Sequence, residues 1–436
     1  MNHAPEREAG SPNQTAAGDR LPGAKVAFVH NFVSHYRTKV FEALSRMCDV
    51  EFYFYSDGGE WYWQRSHGTA KKAGFVHHSL RGFWLGRTRI TPGLVPSLLF
   101  RKYTVFIKCI NGKFALPLTY AIARLRRIPF VLWTGLWHRL DTPLHRLVFP
   151  LTRHIYRNAD AVVAYGEHVR RYLISEGVDP DRIFLAAQAV DNERYSRMVT
   201  AAEQQQLRSQ HQFRGNSKIV LYLGRLESGK GLEYLVEAFA QIRCGDATLV
   251  LCGAGQEESN LRALVSRLGI ANRVRFTGHV PTDQAILFYS LSWVAVLPSV
   301  TTPTFKEPWG LTVNEVFNQG VPVIATDAVG AAAGGLLQNG RNGFVVPERN
   351  SAALRDALET VLGSVELRDR LGNNARRDVA AWTQERMAAG FRDAVAFVTA
   401  RREKRVARPS AVFGLRANAS AQPPVAIPST ARGEQQ

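Results

Sequence analysis

Short apolar runs bounded by polar turns alternate along the chain with stretches whose apolar positions recur at helical spacing. Lys25 to His30 (KVAFVH) reads as a buried strand, followed by a polar loop and a helical pattern over 39–47. The strand signal returns at 50–55, 104–109, 130–133, 161–165 and 183–187, with helical patterns over 142–158 and 167–176 between them. Strands alternating with helices predict βαβ units and a parallel sheet. Residues 191–216 are polar and Gln-rich, with a helical hint only near 201–207, and read as a connection between domains. The alternation then restarts, with strands at 218–223, 248–252, 274–277, 294–298, 322–325 and 343–346 and helices such as 232–242 and 256–268.

The predicted architecture is α/β: two Rossmann-like, doubly wound domains facing a central cleft formed by the carboxyl ends of both sheets, where such folds bind ligands. The divisions are a tail over 1–22, a first domain over 23–190, the connection over 191–216 and a second domain over 217–382. A helix over 383–402 is long enough to return to the first domain, and a basic Pro/Ala/Ser-rich tail occupies 403–436.

Composition narrows the class. With 436 residues and 45% apolar content the chain can build two real cores, so a disordered or fibrous protein is excluded. Four cysteines (Cys48, Cys109, Cys244, Cys252) lack C-x-x-C spacing, support neither a zinc ribbon nor a thioredoxin site, and read as buried small apolar residues in a reducing compartment. The first residues carry no signal-peptide core. The charge-free stretch 284–305 is broken by Ser290, Pro298 and Thr301, and does not read as a membrane span. The expectation is a cytoplasmic protein, so the sequons at Asn13 and Asn418 read as chance matches.

The net charge is +18, and it is unevenly placed. From Trp61 to Leu140 there is no Asp or Glu, while Arg65, Lys71, Arg87, Lys108, Arg124 and other cations are present. Such a block predicts a positive surface for an anionic partner: a phospholipid leaflet, a diphosphate-bearing substrate or a nucleic acid. Interleaved aromatics (Trp61, Tyr62, Trp63, Phe83, Trp84, Phe100, Tyr103) and the apolar, basic pattern over 115–127 fit a surface dipping into a membrane interface. They equally fit a soluble basic face over ordinary core aromatics. No zinc finger or RNA-binding motif appears, so nucleic acid is not the expected partner.

Two segments carry candidate chemistry. Gly224-Arg225-Leu226-Glu227-Ser228-Gly229-Lys230-Gly231 follows a strand and opens a helix. Its glycines let the backbone approach a ligand, and two cations reach the same spot, as a diphosphate requires. The Walker spacing is absent. Taken alone, a Gly-Arg turn with a solvated Lys explains it too. The second segment is Glu307-Pro308-Trp309-Gly310-Leu311-Thr312-Val313-Asn314-Glu315. Pro308 predicts a helix start there, and with the helix beginning near Gly310, Glu315 falls in the second turn, roughly 7–8 Å along the axis. Free amides at Gly310, Leu311 and Thr312 then lie between the two carboxylates. A nucleotide sugar fits such a site along its length, although each glutamate by itself also reads as a favourable charge on a helix.

In this order within one α/β domain, the two segments resemble the GRL-x-x-x-KG and E-x7-E elements of the retaining glycosyltransferases of family 4, of GT-B fold. Leu251-Cys252-Gly253-Ala254-Gly255, Val274-Arg275-Phe276-Thr277-Gly278, Pro298-Ser299 and Asn342-Gly343-Phe344-Val345-Val346-Pro347 resemble its other landmarks. In the first domain the likeness rests on Ser34-His35-Tyr36-Arg37, Ala159-Asp160-Ala161-Val162-Val163 and Val190-Asp191. The resemblance implies transfer of a sugar from a nucleoside-diphosphate sugar to an acceptor hydroxyl with retention of configuration. Arg225 and Lys230 would hold the departing diphosphate, Glu307 would orient the donor sugar and Glu315 would bind ribose. Gly224, Gly310, Leu311 and Thr312 would complete the donor site. No metal or other cofactor is implied, because cations and amides take that role.

The implied acceptor is lipid-linked or a polysaccharide, on the basic first-domain side and at the inner face of a membrane. An epimerase or phosphorylase on the same fold, or a non-enzymatic basic binding protein, are the alternatives. The family's His after the 130–133 strand is displaced: Gly135 takes its slot, and His138, three positions later, is the candidate. Asp179-Pro180-Asp181 spells an acidic-x-acidic pattern but reads as a loop, and Gly253-x-Gly255 lacks the rest of a dinucleotide fingerprint.

Overall fold

The computed structural model describes residues 20–34, 36–56, 74–213, 215 and 217–406. Most of both predicted tails, together with His35, Trp61, Tyr62, Trp63, Arg65 and Lys71, lie outside the described residues. The strands are β1 (Lys25–His30), β2 (Asp49–Phe54), β3 (His77–Ser79), β4 (Phe83–Leu85), β5 (Thr88–Ile90), β6 (Val105–Cys109), β7 (Phe130–Thr134), β8 (Ala161–Ala164), β9 (Ile183–Leu185), β10 (Lys218–Leu223), β11 (Ala247–Cys252), β12 (Val274–Gly278), β13 (Ser292–Leu297), β14 (Val323–Thr326) and β15 (Gly343–Val346). The first sheet is wholly parallel in the order β3-β2-β1-β6-β7-β8-β9. The second is parallel in the order β12-β11-β10-β13-β14-β15. This is the predicted pair of Rossmann-like domains.

Central strands are buried on both faces, as continuous apolar runs require. Phe28, Phe41, Phe52 and Trp133 interlock in one core, and Val220, Leu249, Val294 and Leu358 pack in another. Three short strands were not predicted: β3 at the sheet edge, and the antiparallel β4–β5 pair.

The helix Gln384–Val406 carries Met387, Ala388, Phe391, Ala394, Val395 and Val398 into the first-domain core. That spacing puts them on one helical face. Gly390 lies against β9, where an added Cβ would meet the Leu185 carbonyl oxygen at 2.1 Å. The connection contains two helices, Asn192–Tyr195 and Ala201–Gln210, the second opened by a Thr200–Glu203 capping box, which accounts for the faint signal near 201–207.

Three sequence expectations are corrected. The helix after Pro308 begins at Thr312, not near Gly310, so Glu315 falls in its first turn. Gly310 has φ +90°, a left-handed conformation that ends the turn before the helix rather than opening it. The helix Ala115–Leu125 buries Ala115, Leu116, Tyr120, Ile122 and Ala123 and exposes Leu125, so most of its apolar pattern serves the core rather than a membrane surface. Cys48, Cys109 and Cys252 are buried, but Cys244 is only partly so, its thiol donating to Asp246 at 2.7 Å.

Candidate functional site

Four segments meet at the carboxyl ends of β10, β13 and β14. Behind β10 comes the turn Gly224 to Gly231, which ends in a 3-10 turn, Ser228–Lys230, and the left-handed Gly231. Gly231 has to be glycine: besides its φ of +61°, an added Cβ would fall 2.2 Å from the Pro298 carbonyl oxygen behind β13. The same crowding holds at Gly253, where an added Cβ would fall 1.8 Å from the Gly224 carbonyl oxygen, so the absence of a side chain there lets the loop pack against the end of β11.

Lys230 and Glu307 meet here. The ammonium donates to Glu307 Oε2, Ser299 donates to the same oxygen at 3.1 Å, and Phe305 lies under the ammonium at 4.8 Å. The two side chains are 14% and 12% exposed, so the pair is desolvated yet open on one side. Arg225 is different: at 43% exposure it bonds Glu227 at 2.6 Å and does not touch Lys230 or Glu307. Tyr222 relates them. Its hydroxyl donates to the Arg225 carbonyl at 2.7 Å, and burial, with Glu307 nearby, pushes it well above the usual phenol range.

Glu307 is also held by its backbone. Gly330 donates to its carbonyl oxygen at 3.1 Å, and Trp137 Nε1, from the first domain, donates to the same oxygen at 3.0 Å. His168 Nε2 donates to the Pro308 carbonyl at 3.0 Å, its ring lying between Trp137 and Trp309. Burial lowers His168 to about 4, so the imidazole is neutral at neutral pH. Trp137 and His168 were missed in the sequence. They bond backbone carbonyls, and the only signal was two aromatic residues near the ends of β7 and β8.

Past Glu307, the amides of Gly310, Leu311 and Thr312 have no acceptor among the described residues. The Thr312 hydroxyl lies 3.5 Å from the Leu223 carbonyl, which places this amide-rich turn beside Gly224. Glu315 has partners of its own: Tyr289 donates to it at 2.5 Å, and burial raises its carboxyl despite the hydrogen bonds from Tyr289 and Tyr195. The structure therefore joins Lys230, Glu307 and the Gly310–Thr312 turn, sets Arg225 at the rim, and holds Glu315 in the first turn of the following helix against Tyr289. His138 is half-buried on the first-domain side, near Lys306 and Glu348, and burial lowers its imidazole. Its Nε2 has no partner among the described residues. Asp179 caps a 3-10 turn, Pro180–Arg182, consistent with a loop.

A cation–carboxylate pair and a row of open amides between two parallel-sheet domains define a site for an anionic ligand with hydroxyls. Residues 33–187 match the glycosyl transferase 4-like domain and residues 203–378 match glycosyl transferases group 1. The chain belongs to the group 1 glycosyltransferases, with GT-B fold.

It is 28% identical over 269 residues to an alpha-D-kanosaminyltransferase of Streptomyces kanamyceticus, across 59% of this chain and 67% of the relative. It is 29% identical over 272 residues to a D-inositol 3-phosphate glycosyltransferase of Corynebacterium glutamicum, across 59% of this chain and 62% of the relative. The chain thus spans about two thirds of the length of these relatives. HepE of Anabaena, solved with UDP and glucose, superimposes with a TM-score of 0.64 at 19% identity, covering 88% of this chain and 99% of that one, which speaks to the fold.

Proposed function

We propose that the chain transfers a sugar, with retention, from a nucleoside-diphosphate sugar to a hydroxyl of a lipid-linked or polysaccharide acceptor, working in the cytoplasm at the inner face of a membrane. The observation that carries this reading is the contact of Lys230 with Glu307 beside the open amides of Gly310, Leu311 and Thr312. Without donor, Glu307 neutralises Lys230. A diphosphate arriving at the turn offers the ammonium a stronger partner, freeing Glu307 to accept from the hydroxyls of the donor sugar.

As the glycosidic bond breaks, negative charge grows on the leaving phosphate, and Lys230 and the amides, already in place, stabilise it there. Arg225, more exposed at the rim, closes on the outer phosphate. Glu307 faces the positive charge that develops at the anomeric carbon. Glu315 accepts from ribose hydroxyls while Tyr289 fixes its carboxylate. In this reading the side-chain cations do the work that a metal ion does elsewhere, so turnover is expected to persist in chelator.

The relatives' names, which cite kanosaminyl and inositol 3-phosphate glycosyl transfer, support a sugar donor and a hydroxyl acceptor. Product analysis tests the reading. Release of a nucleoside diphosphate with formation of a new glycoside of the donor's own anomeric configuration is expected. Conversion of the donor without acceptor, or an inverted product, contradicts it.

A further inference from the structure

The helix Pro143–Asn158 buries only Ile155 and Tyr156. Leu144, Leu147, Val148 and Leu151 follow one another at spacings of three, one and three, which places them on one face. All four are exposed, Leu147 at 78%. A surface helix ordinarily turns such a stripe inward; this one turns it to solvent, while cap and side-chain contacts hold the helix in place. Thr142 caps its start, Arg153 pairs with Glu176, and Tyr120 meets His154 at 3.2 Å.

The charge around the helix is mostly positive. The helix contains Arg146, Arg153 and Arg157 and no acidic residue, Arg139 stacks on Phe149, and burial, with the Lys113 charge nearby, lowers the His145 imidazole. The acids near it, Asp141 and Glu176, are engaged by Arg146 and Arg153. Its first turn adjoins the cleft: the Asp141 amide donates to the Pro303 carbonyl at 2.6 Å, and Pro303 precedes Glu307 by one short loop.

We propose that this face is where the chain docks on an anionic phospholipid leaflet, with the four apolar side chains in the acyl boundary and the arginines at headgroup level. An exposed aliphatic stripe on one face, with arginines on the opposite face of a helix that itself contains no acidic residue, is the pattern of a helix lying in that interface. It also replaces the 115–127 segment, most of whose apolar residues are turned inward. The assignment rests on the membrane-side reading above, since it sets the rim of the cleft against the leaflet from which a lipid-linked acceptor is presented.

The test is sedimentation of the full chain with vesicles of phosphatidylcholine alone and with phosphatidylglycerol added, for the wild type, for Leu147→Glu with Leu151→Glu, and for the milder Leu147→Ser. Binding to the phosphatidylglycerol vesicles that weakens with salt and falls about tenfold or more in the double variant, with a smaller loss in Leu147→Ser, is expected. Unchanged binding in the variants, no binding by the wild type, or self-association of the wild type that the variants abolish would each overturn it. UDP, GDP and ADP titrations on the same samples keep the two readings apart. A wild type that docks but binds no nucleoside diphosphate sinks the transferase reading alone, and one that binds nucleotide but not vesicles sinks the docking surface alone.

Discussion

Lys230 and Arg225 occupy one motif but two environments, and their variants should differ accordingly. Lys230→Ala leaves Glu307 uncompensated in a site that is largely desolvated, so it is expected to lower stability by about 1–3 kcal/mol as well as kcat/KM by a hundredfold or more, about 3 kcal/mol of transition-state stabilisation. Arg225→Ala should lose comparable catalysis with a melting temperature close to wild type, because its guanidinium is exposed. Denaturant melts beside kinetics check both, and a fully active Lys230→Ala contradicts the role given to it. These residues were legible in the sequence because their motifs are local. Trp137 and His168 were not, since their partners are the carbonyls of Glu307 and Pro308 in another domain, and a carbonyl carries no residue identity.

His168 also makes a pH prediction. Its imidazole is held near 4 by burial, while the unfolded chain titrates near 6.5, so the unfolded state binds the extra proton first. Stability from this group is present above the unfolded value and is lost as pH falls from 6.5 toward 4, on the order of 3 kcal/mol in full. His30, at about 3, acts in the same sense. Glu315, raised by burial, opposes them, since its stabilisation declines as pH rises through its folded value. Melting temperature against pH should therefore fall on the acid side more steeply for wild type than for His168→Gln; superimposable curves would refute the assignment.

At the scale of elements, the boundary that matters is the one the sequence misplaced. Pro308 is favourable at a helix start, yet Trp309 buries its ring and bonds Asn314 at 2.7 Å, which forces a turn through Gly310 before the helix opens. A Cβ at Gly310 would meet Leu297 at 3.0 Å and Val329 at 3.1 Å in a left-handed conformation. Gly310→Ala is expected to cost about 1–3 kcal/mol and to weaken nucleotide binding by disturbing the amides that follow. Wild-type stability and affinity in that variant would show that the turn is not a binding element. The buried strands were readable because doubly covered parallel strands are continuous apolar runs, whereas β4, exposed, and β5, half-buried, are three residues each and leave no such trace.

For the whole molecule, the last helix makes the two domains one folding problem. Phe391 is fully buried against Phe28 and Trp133, at ring separations of 5.4 and 5.1 Å. Phe391→Ala should cost about 3–5 kcal/mol by removing a large side chain from the first-domain core, although it lies in sequence beyond the second domain. A denaturation midpoint unchanged from wild type would contradict that packing. The alternation of strands and helices made the two-domain plan legible in the sequence. The grip of Trp137 and His168 on the Glu307 segment depends on how the domains face each other, which periodicity within either domain does not encode.

The central claim is that a diphosphate is held between Lys230, Arg225 and the turn at Gly310, and calorimetric titration of nucleoside diphosphates beside their parent nucleosides tests it most directly. Wild type should bind at least one of UDP, GDP and ADP about a hundredfold more tightly than the corresponding nucleoside, and Lys230→Ala should erase most of that difference. A preference for the diphosphate that survives intact in both Lys230→Ala and Arg225→Ala would place the phosphates elsewhere and contradict the account.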